Sequence, residues 1–90
     1  MDETVTIRQQ FFFHAPDAHS VLLAGNFTDW QKVPIPLHKR QDGTWELQID
    51  LSPGTYQYRF LVDGDWRDDP ECTLRVANEY WSENMVRRVM

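Results

Sequence analysis

The sequence has little cysteine and little positive charge. Cys72 is the single cysteine among 90 residues, so no disulfide can form within the chain and no cysteine-rich zinc site can be built. Lysine and arginine number 9 against 14 aspartates and glutamates, which gives a formal net charge of -5. This charge would repel a phosphate backbone or an anionic membrane surface. We therefore expect no nucleic-acid partner and no membrane partner, and a neutral ligand or another protein fits better.

Long apolar runs are also missing. No stretch approaches the roughly 20 apolar residues that a membrane helix needs. The first ten residues lack the basic start and the apolar run of a signal peptide. We therefore expect the protein to be cytoplasmic. A chain of 90 residues provides for one hydrophobic core, so we expect a single domain over residues 1–90.

The periodicity that is present is two residues rather than the helical period. Apolar and polar residues alternate without a break from Thr44 to Leu51, and the stretch from Thr55 to Val62 alternates in the same way. Such alternation predicts β-strands with one face in the core. The side chains expected to face inward are Trp45, Leu47, Ile49, Leu51, Tyr56, Tyr58, Phe60 and Val62. After the second strand, Asp63 and Gly64 predict a hairpin turn.

Shorter segments complete an all-β pattern. β-Branched and aromatic residues predict further strands at 4–15, 21–24, 35–39 and 85–89. No segment has a sustained helical periodicity, and short strands between turn signals are typical of an antiparallel β-sandwich. An OB-type barrel is the structural alternative, but that fold usually has a helix between strands. Residues 68–83 alternate little and predict an ordered loop or a weakly paired edge, a kind of segment that is often functional.

The polar residues do not form a recognisable catalytic or metal site. The three histidines are scattered along the chain without the spacing of metal ligands. The acidic run at 63–69 lacks the glycine and the glutamate that a calcium loop carries at fixed positions. Asp68 and Asp69 are a conceivable carboxylate pair, but a small sandwich offers no evident cleft that would shift their pKa values. We therefore expect no enzyme activity, no metal and no cofactor.

The tryptophans divide into two kinds by their surroundings. Trp45 belongs to the alternating inward set and is expected in the core. Trp30 and Trp66 follow turns and are flanked by polar residues, which is typical of a recognition surface. A hexose has an apolar face of C–H groups that can stack on an indole, and its hydroxyls need polar partners. Arg59 is expected on the outward face of its strand, where it supplies fixed donors near Trp66.

Five segments, taken together and in order, carry a family resemblance. They are Val21–Trp30, Asp42–Trp45, Pro53–Trp66, Asp69-Pro70 and Glu83-Asn84. This series resembles carbohydrate-binding module family 48, which includes the glycogen-binding domain of the AMP-activated protein kinase β subunit and the N-terminal domains of branching enzymes and isoamylases. The resemblance covers about residues 4–90. It implies an immunoglobulin-like (early set) antiparallel β-sandwich that binds α-1,4-glucans such as glycogen, starch or maltodextrins.

The resemblance also implies a carbohydrate site, position by position. Trp30 and Trp66 match the two indoles that stack on glucose in the glycogen-binding members. Asn84 matches an asparagine that hydrogen-bonds the ligand. Arg59 stands where those members usually have a lysine that contacts sugar hydroxyls, a change that keeps the charge but alters the geometry of the donors.

The loop before the asparagine departs from the family pattern. Ser82 occupies a position that is often threonine, and Tyr80 a position where the β-subunit domain has a leucine that pushes into the curve of the glucan. We include both residues in the predicted carbohydrate site. Trp81 stands where family members usually have a small residue. It is compatible with an additional stacking surface, with an obstruction of the groove, or with packing on the sandwich or on another chain.

These observations lead to one hypothesis and two alternatives. The hypothesis is a free-standing, non-catalytic module that binds an α-glucan polysaccharide or oligosaccharide. In the first alternative the same aromatics, with Tyr80 and Trp81, form a protein interface, as in an interaction module or a regulatory or accessory subunit of a glucan-metabolising enzyme or kinase. The second alternative is a detached accessory domain of a glucan hydrolase or branching enzyme. Replacing Trp30 or Trp66 by alanine separates glucan binding from an interface.

Overall fold

The computed structural model describes residues 5–90, and that range consists of strands and turns. It contains no helix, and therefore none long and apolar enough to cross a membrane. Thr4, the predicted start of the first strand, lies outside the described residues. The strands of the described range are β1 (Ile7–His14), β2 (Val21–Gly25), β3 (Ile35–Pro36), β4 (His38–Lys39), β5 (Thr44–Leu51), β6 (Gly54–Val62), β7 (Asp65–Arg67), β8 (Arg75–Ala77) and β9 (Glu83–Val89).

The strands form two antiparallel sheets. The smaller sheet has the order β1-β5-β4, and the larger has the order β3-β2-β6-β9-β8. β6 is the central strand of the larger sheet, and β2 pairs with one of its edges. β7 and β9 share the other edge, with β7 beside residues 60–62 and β9 beside residues 54–58. The predicted antiparallel β-sandwich is confirmed, and two separate sheets without a helix do not match the OB-type alternative.

The core lies where the alternating faces of the two sheets meet. β5 contributes Trp45 and Leu47, and β6 contributes Tyr58 and Phe60, all of them buried. The rings of Phe11 and Tyr58 make an edge-to-face contact with 5.1 Å between their centroids, a preferred aromatic geometry. The inward faces predicted for both strands are therefore confirmed. Three members of that set are only half-buried, because they lie toward the β5–β6 turn at one end of the sandwich: Ile49, Leu51 and Tyr56.

The segment predicted as one strand at 35–39 divides between the two sheets. β3 pairs with β2 in the larger sheet, whereas β4 pairs with β5 in the smaller sheet. Leu37, between them, is buried, and its N–H donates to the Val21 carbonyl oxygen at 2.9 Å. Pro34 and Pro36 have no N–H to donate, so a continuous ladder cannot form here. The chain instead crosses from one sheet to the other.

The connections of the larger sheet agree with the sequence pattern. Asp63 and Gly64 have φ angles of 49° and 86°, which a two-residue turn between β6 and β7 requires. Residues 68–83 contain both of the predicted forms. Their middle is the short edge strand β8, which pairs with β9, and loop 78–82 joins these two strands.

Candidate functional site

A groove of about 740 Å³ lies beside the outward face of β6, and its size is that of a small-molecule site. Of the predicted site residues, all but Ser82 line it: Trp30, Arg59, Trp66, Tyr80 and Asn84. The sequence prediction missed five other lining residues: Asp29, Gln31, Lys32, Asn78 and Glu79. The groove therefore brings together side chains from β6, β7, β9 and two loops, residues 25–33 and residues 78–82.

The two indoles of the groove stand side by side at a steep angle. The ring centroids of Trp30 and Trp66 are 6.5 Å apart, and their planes make an angle of 75°. Both side chains are half-buried, so neither is lost in the core. The sequence pattern predicts both indoles for a recognition surface but does not predict the angle between them. In the structure they form a corner, in which the edge of one ring meets the face of the other.

Loop 25–33 fixes the position of Trp30 through buried hydrogen bonds. The hydroxyl of Thr28, which is buried, accepts the Gly25 N–H at 2.9 Å and lies 3.1 Å and 3.0 Å from the carbonyl oxygens of Gly25 and Trp30. The Trp30 N–H also donates to the Gly25 carbonyl at 2.9 Å. A Cβ at position 25 would lie 2.5 Å from the carbonyl oxygen of Gln57, so only glycine fits there. These contacts hold Trp30 at a φ of 54°.

Trp66 and Arg59 lie on the same face of the larger sheet. Trp66 is paired with Leu61 in the β6–β7 ladder, and paired residues point to the same side. The guanidinium carbon of Arg59 lies 5.8 Å from the centroid of the Trp66 ring, within reach of a cation–π interaction. Arg59 also donates from Nη2 to Asp68 Oδ1 at 3.0 Å, and Asp68 Oδ2 accepts from Arg75 at 2.9 Å. The ion pair and the contact with the indole therefore hold the Arg59 guanidinium in one position beside Trp66.

Asn84 and loop 78–82 are linked through Asn78. The Asn78 amide donates to Asn84 Oδ1 at 3.0 Å, and its own Oδ1 accepts the N–H groups of Tyr80 and Ser82 at 2.8 Å and 3.2 Å. Asn84 is 8% exposed, and its amide donates to Gln57 Oε1 at 3.1 Å. An amide group has two N–H donors and two acceptor positions. Asn84 therefore keeps one donor and one acceptor position for a ligand.

A comparison with protein families identifies the family to which the chain belongs. The family model described as the glycogen recognition site of AMP-activated protein kinase matches residues 8–87. The chain belongs to this glycogen-recognition family. The match spans every strand except the first residue of β1 and the end of β9, and it includes all of the residues that line the groove. The resemblance found in the sequence, and the glycogen-binding type of module that it implied, are confirmed at the level of the family.

Curated relatives of this glycogen-recognition module are parts of longer proteins. Protein FLOURY ENDOSPERM 6, chloroplastic, from Oryza sativa subsp. japonica is 36% identical over 80 residues, which are 89% of this chain and 15% of the relative. Protein PTST homolog 2, chloroplastic, from Arabidopsis thaliana is 40% identical over 69 residues, 77% of this chain and 13% of the relative. The 5'-AMP-activated protein kinase subunit beta-1 from Sus scrofa is 42% identical over 69 residues, which are 77% of this chain and 53% of the relative. The chain thus spans between about one-eighth and one-half of these relatives.

The names of these relatives correct one expectation from the sequence. The lack of a signal peptide and of apolar runs led us to expect a cytoplasmic protein. Two of the similar proteins are named chloroplastic, and this finding contradicts that prediction. The physical reason for the error is that the sequence of a binding module contains no signal for its compartment, since such signals are separate segments.

The adjacent acids that were considered as a catalytic pair have separate structural partners. Asp68 pairs with two arginines, as described above. Asp69 is buried, and its Oδ2 accepts the Tyr58 hydroxyl at 2.7 Å while Oδ1 accepts the Glu71 N–H at 2.9 Å. Burial raises the pKa of Tyr58 well above its ordinary value, and the hydrogen bond to Asp69 raises it further. In the part of the chain from 5 to 90, no three His, Cys, Asp or Glu side chains are grouped to hold a metal ion.

Of the lining residues that were missed, Asn78 had a recognisable signal. It is the first residue of the five-residue connection between β8 and β9, a place where an Asn side chain often hydrogen-bonds backbone N–H groups two residues on. The other missed residues are exposed polar side chains of loops: Asp29, Gln31, Lys32 and Glu79. Lys32 lies 3.6 Å from Asp29 across one turn of the loop, a proximity that their sequence spacing alone does not predict for a non-helical segment.

Proposed function

We propose that the groove binds a single α-1,4-glucan chain and that the module carries no catalytic activity of its own. The observation on which this proposal rests is the Trp30–Trp66 corner, with Arg59 and Asn84 beside it. Stacking surfaces and oriented polar groups are the two things that a pyranose ring needs, because its faces are apolar and its rim consists of hydroxyls.

The angle between the indoles favours a curved glucan over a flat one. Successive rings of an α-1,4-linked chain are inclined to one another, so the chain curves. The rings of a β-1,4-linked chain form a flat ribbon, which suits coplanar aromatic platforms. Trp30 and Trp66 meet at 75°, so two rings stacked on them must also be inclined. A glycogen, starch or maltodextrin chain satisfies this condition.

The polar side chains of the groove suit a neutral ligand with many hydroxyls. Arg59 supplies oriented N–H donors, and Asn84 supplies both a donor and an acceptor. The carboxylates of Asp29 and Glu79 also line the groove and can accept hydroxyl hydrogens. Charges of both signs therefore occur around the groove, which would bind a phosphate group less well than an uncharged sugar.

The affinity expected from these contacts is modest. Stacking of a ring on an aromatic side chain contributes about 1–3 kcal/mol in comparable nucleic-acid sites, and sugar stacking should not exceed this. Two stacked rings and a few solvated hydrogen bonds give roughly -5 to -7 kcal/mol, a Kd between about 10 µM and a few hundred µM. Many adjacent sites on a polymer raise the retention of a longer protein through avidity.

A docking role for a longer protein is part of the proposal. Asp68 and Asp69 both serve structural partners, so the acid pair that glycoside hydrolysis requires is not provided by these two residues. One relative is named a kinase subunit, and the three relatives described above are considerably longer than this chain. We infer that the module places a larger protein, such as a glucan-metabolising enzyme or a kinase, on its glucan.

Titration calorimetry with maltoheptaose tests the proposal. Trp30→Ala and Trp66→Ala should each weaken maltoheptaose binding about tenfold or more, the loss of one stacked ring. Phe12→Ala is the matched control, because Phe12 is an aromatic residue on the smaller sheet with 39% exposure. The Phe12→Ala variant should bind maltoheptaose with the same affinity as the unmodified protein. Cellohexaose should bind much more weakly than maltoheptaose.

Three results would contradict the proposal. Glucan binding does not use the corner if both tryptophan variants retain full affinity with an intact fold. The groove does not select for curvature if cellohexaose binds as well as maltoheptaose. If the tryptophan variants instead convert an oligomer into a monomer in analytical ultracentrifugation, with glucan affinity unchanged, the aromatic surface is a protein interface.

A further inference from the structure

Trp81 combines complete exposure with an unfavourable backbone conformation. Its relative exposure is 101%, the highest among the large apolar side chains of residues 5–90. Its φ is 63°, in the left-handed region that bulky side chains rarely adopt. A residue of this kind usually persists because the surrounding structure compensates for the strain. The Trp81 side chain is not buried, so packing within residues 5–90 does not explain why this position carries an indole.

The loop that carries Trp81 also contributes Asn78, Glu79 and Tyr80 to the lining of the groove. Asn78 holds the loop through three hydrogen bonds to Tyr80, Ser82 and Asn84, and a fourth joins the Asn78 N–H to the Ser82 carbonyl at 3.0 Å. Tyr80 lines the groove and is 77% exposed. Trp81 does not itself line the groove, but it follows Tyr80 directly in the chain. Consecutive Cα atoms are about 3.8 Å apart, so a glucan that continues past Tyr80 comes within reach of a long side chain at position 81.

We propose that Trp81 is a third stacking surface, on which the same α-glucan chain continues beyond the groove. This inference rests on the proposed function and specifies the ligand further. A chain long enough to reach Trp81 gains a stacked ring that a short oligosaccharide lacks. The module is therefore selective for extended linear glucan segments over fragments of two or three glucose units.

The surroundings of Trp81 favour a sugar over a protein partner. Apart from Tyr80, its neighbours in the sequence are polar or acidic: Glu79, Ser82 and Glu83. An aromatic hot spot of a protein interface is normally surrounded by further contacts that exclude water, whereas a stacked sugar needs one flat ring and nearby hydroxyl partners. Carboxylates and a serine hydroxyl provide those partners, and a neutral glucan is not repelled by them.

The test compares two glucan lengths on two variants of one residue. Trp81→Gly removes the indole and suits the positive φ, because glycine adopts that region freely, so the loop and Tyr80 keep their positions. Trp81→Phe keeps an aromatic ring. In calorimetry, Trp81→Gly should weaken maltoheptaose binding about tenfold and leave maltotriose binding within about twofold. Trp81→Phe should retain maltoheptaose binding within about threefold.

The outcomes separate this inference from the proposed function. Unchanged maltoheptaose affinity in Trp81→Gly overturns the third stacking surface while leaving the groove proposal intact. An equal loss for maltotriose also overturns it, because Trp81 would then act within the groove. A lower oligomeric mass of Trp81→Gly in analytical ultracentrifugation, with unchanged glucan affinity, assigns the indole to a protein contact. Failure of the unmodified protein to bind either sugar contradicts the proposed function itself.

Discussion

The two loops that line the groove are held in place by different means. Loop 25–33 presents a half-buried Trp30. The buried hydroxyl of Thr28 fixes this loop, and Gly25 lies so close to the Gln57 carbonyl oxygen that no side chain fits at position 25. Loop 78–82 presents Tyr80 and Trp81, both highly exposed, and is organised mainly by the amide of Asn78. The position of Trp30 is therefore fixed by buried contacts, whereas the positions of Tyr80 and Trp81 depend mainly on the side chain of Asn78.

This difference has a consequence for binding. Ordering a flexible side chain on ligand binding costs free energy, and a side chain that is already fixed avoids that cost. Trp30 therefore contributes most of its stacking energy to any glucose unit that reaches it. Tyr80 and Trp81 have freedom to follow the direction of the bound chain, at some cost in affinity. We expect loop 25–33 to determine whether a glucan binds and loop 78–82 to determine how many glucose units of the chain are bound.

The largest effect should come from loosening the first loop. Thr28→Val keeps the size of the side chain but removes the hydroxyl, so the Gly25 N–H loses its acceptor in a buried site. An unsatisfied buried donor costs about 1–3 kcal/mol of unfolding free energy, measurable by urea denaturation. Trp30 should also lose its fixed position, and maltoheptaose affinity should fall about tenfold. Calorimetry at a temperature where the variant is folded measures this loss.

Thr73→Val is the matched control for this change. Thr73 is exposed in the connection between β7 and β8, so the same chemical replacement should leave both stability and glucan affinity close to those of the unmodified protein. If Thr28→Val proves as stable as Thr73→Val, the buried hydroxyl does not hold the loop, and the contrast between the two loops is lost.

A smaller effect is expected from the second loop. Asn78→Ala removes the acceptor for the Tyr80 and Ser82 N–H groups and the donor to Asn84. Because the N–H groups of the loop can form hydrogen bonds with water instead, the unfolding free energy should fall by only about 1 kcal/mol. Maltoheptaose affinity should fall about threefold to fivefold, since one fixed polar group and one aromatic lose their positions.

Asn78→Asp separates the two tasks of this residue. The aspartate keeps an acceptor for the two loop N–H groups but cannot donate to Asn84 as an ionised side chain. Stability should therefore stay near that of the unmodified protein. Affinity should decrease, but by less than in Asn78→Ala, because the hydrogen bonds that hold Tyr80 and Ser82 remain. Equal stability losses in the two variants would mean that the link to Asn84, rather than the hold on the loop, is the stabilising contact.

The sequence predicted the fold and the groove to different depths. Alternation with period two placed Trp45 and Tyr58 in the core, because burial of one strand face depends only on the local pattern. The division of residues 35–39 between two sheets was not predicted, since it depends on which neighbouring strand offers a partner. Likewise, the turn chemistry around Trp30 indicated an indole outside the core, but the edge-to-face contact with Trp66 is a long-range result of the fold.

Polar networks were the least predictable part of the site. Arg59 was expected to present fixed donors near Trp66, but its pairing with Asp68 could not be read from the sequence, because Asp68 lies nine positions further along the chain, beyond the β6–β7 hairpin. Asp69 was weighed as an acid, yet it accepts a hydrogen bond from Tyr58 in the interior. The choice between a functional and a structural carboxylate depends on burial and partner distance, which only the three-dimensional arrangement provides.

The smallest effect is expected at Asp68, which links Arg59 in the groove to β8, the strand that precedes loop 78–82. Its two oxygens accept from Arg59 on β6 and from Arg75 on β8. The Asp68 side chain is 42% exposed, and ion pairs at such sites contribute about 0–1 kcal/mol. Asp68→Asn should therefore change stability by less than about 1 kcal/mol. Maltoheptaose affinity should fall about twofold to threefold, because a neutral amide with one acceptor oxygen holds the Arg59 guanidinium less firmly, and the guanidinium must then be ordered when the sugar binds.

Asp17→Asn provides the control for this last prediction, because Asp17 is exposed in a turn between β1 and β2 and the replacement removes the same charge. A loss of affinity that is specific to Asp68→Asn shows that Arg59 acts as a positioned donor. A gain in affinity leads to the opposite conclusion: Asp68 competes with the sugar hydroxyls for the guanidinium. In that case Arg59, like loop 78–82, must rearrange before the sugar binds, and only loop 25–33, which carries Trp30, is preorganised.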